Sequence, residues 1–119
     1  MDPLTFESLV SKALDSLPPA FLAKLENVDV VIESWPSPVH LQAVKAHPQT
    51  LLLGLYQGVP QTKRTLAVQM PDKITIFSGP ILAIAHSEAQ VPDLVSRVVQ
   101  HEIAHHFGMS EAELHQKGR

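Results

Sequence analysis

Val98-Val99-Gln100-His101-Glu102-Ile103-Ala104-His105-His106-Phe107-Gly108-Met109-Ser110-Glu111 carries the motif His101-Glu102-x-x-His105, and the rest of the chain reads as a frame around it. On an α-helix, residues four apart lie one turn apart on the same face, so both imidazoles can reach one ion. Glu102 is rotated about 100° from His101, which sets it beside that ion rather than on it. A general base that takes a proton from a metal-bound water must stand there. Chance is a weak competitor. With seven His and seven Glu among 119 residues, a shuffled chain holds the pattern with a probability of roughly 0.02.

The flank of the motif points the same way. With His101 at 0° on a helical wheel, Leu94, Val98, Val95, Val99 and Ile103 fall between about 20° and 200°, while Arg97, Ala104, Gln100 and Ser96 occupy the other side. The His pair therefore sits at the edge of an apolar stripe, half toward a core and half toward a cleft. A surface helix that merely happens to carry His and Glu is the competing reading, and it leaves the spacing unexplained. Pro92 disfavours helix at Val91, so the helix is predicted to start near Pro92 and to end at Gly108, which suits the position just past a C-cap.

Working outward toward the N-terminus, Lys73-Ile74-Thr75-Ile76-Phe77-Ser78 alternates apolar and polar residues like a half-buried strand. After Gly79-Pro80, residues 81–85 could extend that strand or turn into a helix. Residues 61–70 read as a loop or an irregular strand. Residues 51–57 form an apolar strand turned by Gly58-Val59-Pro60. Residues 28–35 are rich in β-branched side chains, bounded by Pro36, and nearly continuous in apolar character, which predicts a strand inside the sheet. Ser37-Pro38 opens a short helix carrying Leu41 and Val44 inward, closed at His47-Pro48. Asp2-Pro3 is an N-cap and first-turn pair, with Thr5 as a competing cap. From there Phe6, Leu9, Val10, Ala13, Leu14 and Leu17 recur at helical spacing up to Pro18-Pro19. Residues 19–25 could add a short helical piece. The order predicts an α+β fold: a small mixed β-sheet of about three to four strands, helices mainly on one face, and the motif on the C-terminal long helix.

Composition narrows the function. The chain of 119 residues reads as one domain, 1–119, long enough for a core without staples. A net charge of −3 makes no case for nucleic acid or an anionic membrane surface. No apolar run approaches a membrane span, and the N-terminal residues lack the pattern of a secretory signal, so the cytoplasm is the expected location. With no cysteine, any metal must be held by imidazole and carboxylate.

Catalytic zinc usually has three protein ligands and an open position. Glu111 lies ten residues after His101, the slot of the third ligand in H-E-x-x-H-x-x-G-x-x-H, and Gly108 lets the chain double back toward the site. Glu113, His115 or an upstream residue are the alternatives, and an acidic residue at the start of a turn capped by Ser110 is the non-metal reading of Glu111. His106 points toward the core side, as a packed residue or one that supports a ligand. His40, His47 and His86 read as surface or loop residues. Phe107 and Met109 read as packing under the turn. Tyr56 could polarise an oxyanion, but a strand tyrosine with a solvated hydroxyl is the plainer expectation.

The ending H-E-I-A-H-H-F-G-M-S-E, with L-L-G-L-Y-Q-G-V-P and D-K-I-T-I-F-S-G-P-I before it, resembles the small bacterial zincin-like metallopeptidases, the minimal zincins. The similarity runs through nearly the whole chain. It implies a compact α+β fold with the metal site on the last long helix, Zn2+ as cofactor and peptidase activity on a peptide or protein substrate. Carried over by position, His101 and His105 are metal ligands, Glu102 is the base and Glu111 stands in the third-ligand slot. That slot usually holds aspartate, so the extra methylene of Glu111 requires it to fold back further or bind differently.

Two functions from different classes follow. A zinc hydrolase would use Glu102 to accept the proton of the attacking water and deliver it to the leaving amine. An exposed strand edge, for which residues 73–78 are the candidate, would hold an extended peptide by main-chain hydrogen bonds. The alternative is a metal-binding protein that is non-catalytic or gated by a partner, suggested by the small size and the lack of a recognisable specificity pocket or lid.

Overall fold

The computed structural model of the chain describes residues 1–44, 52–58 and 71–108. In chain order these form α1 (Pro3–Asp15), α2 (Pro19–Lys24), β1 (Val28–Glu33), α3 (Pro38–Ala43), β2 (Gly54–Gln57), β3 (Asp72–Phe77), α4 (Ser78–Ile84), a 3-10 turn (Glu88–Gln90) and α5 (Val91–Phe107). The fold is α+β, with the motif on the long C-terminal helix.

Helix ends follow local chemistry. The Asp2 carboxylate accepts from Thr5 N–H at 3.2 Å, so Asp2 is the cap of α1 and Thr5 is its partner, not its competitor. Proline follows the caps of α1 and α3 at the first helical position, where a missing N–H loses nothing. Helix α5 ends on Gly108 at φ 58°, a left-handed backbone that lets its N–H return to Ala104 O. Residues 81–85 take the helical alternative, within α4 and its cap.

The three strands lie in the order β1-β3-β2, with β1 parallel and β2 antiparallel to β3. This corrects two expectations at once. Residues 73–77 do not form an exposed edge but lie in the central strand, Ser78 opens α4, and β1 is an edge strand among the described residues rather than an interior one. The alternation in β3 suggested one wet face, yet Thr75 and Phe77, on the side opposite Ile74 and Ile76, are both fully buried. Conversely, β1 is only half-buried despite its apolar run. It also ends at Glu33, leaving Trp35 outside the strand and 57% exposed.

Register explains the core. Ile74 and Ile76 of β3, with Tyr56 of β2, share one sheet face and meet Phe6, Val10 and Ala13 of α1, Phe21 of α2, and Val95, Val99 and Ile103 of α5. The stripe read on the wheel is the buried stripe of α5. On the opposite face α3 is held by His40. That residue is buried, not a surface histidine: its Nδ1 accepts from Ser37 N–H at 2.9 Å, closing a capping box, and its ring meets Phe77 edge-on at 5.0 Å. Its burial leaves Val44 exposed and Leu41 only half-buried, where both were expected to point inward.

Candidate active site

Helix α5 presents His101, Glu102 and His105 beside β2. The two imidazoles stand one turn apart with ring centroids separated by 6.3 Å and planes inclined by 20°, both on exposed surface. Glu102 is half-buried, and its Oε1 accepts from the main-chain N–H of Tyr56 at 2.9 Å. A cleft of about 790 Å3 opens here, lined by His101, Glu102 and His105 on one side and by Tyr56 and Gln57 on the other, with Ala43 of α3 at its rim. A smaller, mainly apolar hollow of about 370 Å3 adjoins it between Leu53, Arg97 and Val98.

The approach of β2 to α5 depends on Gly54. A Cβ at that position would lie 2.5 Å from Val98 Cγ1. Register then decides which groups of β2 face the helix. Phe77 N–H bonds to Leu53 O at 3.0 Å, so Leu53, Leu55 and Gln57 turn their main chain to β3 and Gly54 and Tyr56 turn theirs away. Tyr56 N–H thereby points at Glu102.

Tyr56 itself departs from the expected solvated strand tyrosine. It is buried, its hydroxyl donates to Asp72 Oδ2, and its ring stacks on His106 with centroids 3.9 Å apart. His106 does pack, as the wheel implied, but near the end of α5 it remains exposed on its other side. Phe107, 40% exposed, meets the Tyr56 ring edge-on at 5.7 Å and lies under the Lys24 ammonium at 5.1 Å. His86 lies on the surface as expected.

Among the described residues no set of three His, Cys, Asp or Glu that could hold a metal ion is found. Glu111, Glu113, His115, Ser110, Met109 and His47 lie outside the described residues. The two imidazoles nevertheless suit one ion: they are near-parallel, unobstructed and share the cleft with a carboxylate. Nitrogen and carboxylate donors without thiolate are an accepted zinc set.

A family model described as zincin-like metallopeptidase matches residues 25–119. The chain belongs to the zincin-like metallopeptidase family. No curated protein matches it. As a zincin-like chain it departs from the sequence reading mainly in which strand borders the cleft. Strand β2, not β3, lines the cleft beside the motif. The roles of Gly54, Asp72 and the Tyr56 N–H at the site have no signature in the sequence. Nothing in the spacing of Asp72 marks it, whereas Ser37-x-x-His40 had the offset of a capping box and could have been found.

Proposed function

We propose that this chain is a zinc-dependent peptide-bond hydrolase with Glu102 as general base and His101, His105 and Glu111 as metal ligands. The observation that carries this reading is the Glu102 carboxylate, fixed at 2.9 Å by a strand N–H in the same cleft as the two imidazoles. A zinc ion held there would polarise the scissile carbonyl and lower the pKa of a bound water toward about 7.

The protein's own groups do the rest. With Oε1 held by Tyr56 N–H, Glu102 has Oε2 available to take the proton of the attacking water and return it to the departing amine. The cleft wall formed by β2 is the surface against which a peptide substrate would lie, with Gln57 and Gly58 beyond the bond that Tyr56 N–H makes to Glu102. The Glu102→Gln variant tests the assignment. It should keep its zinc and lose hydrolysis of a peptide library by at least roughly a hundredfold; unchanged turnover would refute the role of Glu102.

A further inference from the structure

We infer that Tyr56, braced by Asp72, is the positioning residue of Glu102: the side chain of Tyr56 fixes the strand N–H that aims the carboxylate. The inference rests on the hydrolase reading for its kinetic consequence, but not for its structural one.

Strand β2 has four residues, and only one of its neighbours, β3, is a described strand. Its four residues pair with β3, from Gly54↔Ile76 to Gln57↔Lys73. Tyr56 adds three restraints of its own. Its hydroxyl is anchored to Asp72, at the start of the central strand, and Asp72 is itself buried with its N–H on Asn27 O at 3.2 Å. Its ring lies flat on His106, inclined by 22°, and edge-on to Phe107 at 83°, so it also grips the last turn of α5. That turn follows directly on His105. The Tyr56 backbone is thus clamped between β3 and α5 at the point where its N–H meets Glu102.

The same contacts exclude a different role. A phenol has one proton to donate, and here it goes to the Asp72 carboxylate. The hydroxyl is therefore not the group that would polarise a substrate oxyanion, and Tyr56 acts on the reaction through Glu102. Orientation by such contacts is worth rate rather than affinity, because a misaimed base slows proton transfer without changing how substrate lies in the cleft.

The test uses Tyr56→Phe, Asp72→Asn and the double variant, on full-length zinc-loaded protein. Tyr56→Phe keeps the ring and its stacking and removes only the hydroxyl. The first readout is hydrogen exchange of the amide at position 56, followed by NMR. It should be slow in wild type, and should quicken roughly three- to tenfold in Tyr56→Phe and more in Glu102→Ala. The second is peptide hydrolysis: kcat should fall roughly tenfold in Tyr56→Phe with KM within about twofold and zinc content unchanged. Asp72→Asn retains an acceptor for the phenol and should lie between wild type and Tyr56→Phe, and the double variant should be no worse than Tyr56→Phe, because both act through one bond. An amide at position 56 exchanging as in wild type, or a rise in KM with kcat unchanged, would overturn the inference. If the wild type cleaves no peptide, the hydrolase reading falls and the amide exchange alone decides the clamp.

Discussion

Thr75 sits in the central strand with no exposed surface, and its hydroxyl has no hydrogen-bond partner among the described residues. A buried hydroxyl without a partner opposes folding by about 1–3 kcal/mol relative to a partnered one. Thr75→Val keeps the β-branched shape and replaces the hydroxyl by a methyl, so it should stabilise the fold by about 1 kcal/mol and raise Tm by a few degrees in calorimetry. A lowered Tm would show that the hydroxyl is satisfied. Other single residues divide by the reach of their chemistry. Asp2 and Gly108 were legible because a cap bonds within its own turn. Tyr56 and Asp72 were not, since their bond joins residues 16 apart on two strands. His40 was misread because a histidine serving a capping box looks, in sequence, like any loop histidine.

At the scale of elements, sheet and motif helix approach closely at Gly54 and Val98. A Gly54→Ala methyl would have to displace Val98 Cγ1, 2.5 Å away, and would also crowd the Thr75 carbonyl oxygen, 3.2 Å away. The variant should lose about 1–3 kcal/mol, measured by urea unfolding, and should separate Tyr56 N–H from Glu102. Unaltered stability would mean that β2 and α5 adjust freely. Helix α5 was readable from its own period, its apolar stripe and its glycine end. The order of the strands was not readable. Burial of a strand depends on which neighbours flank it, and β3 gains two neighbours while β1, the more apolar run, has one described neighbour. Alternation in β3 therefore reads as half-burial where the sheet has its centre.

Across the whole molecule, the described part of the candidate site draws mainly on one helix and one strand brought together by the core. Phe6, Val10 and Phe21 hold α5 against the Ile74–Ile76 face, and β2 closes over the flank that remains. Of that site the helix half was legible, since His101, Glu102 and His105 need only the helical period. The strand half was not, because it arises from tertiary placement. The central claim is that His101 and His105 hold one metal ion beside Glu102. It is tested most directly by the zinc content per chain of protein purified without chelators, wild type beside His101→Ala. Wild type should carry close to one zinc and the variant almost none. A wild type that carries no zinc and takes up none on addition, or a variant that retains it, would contradict that claim.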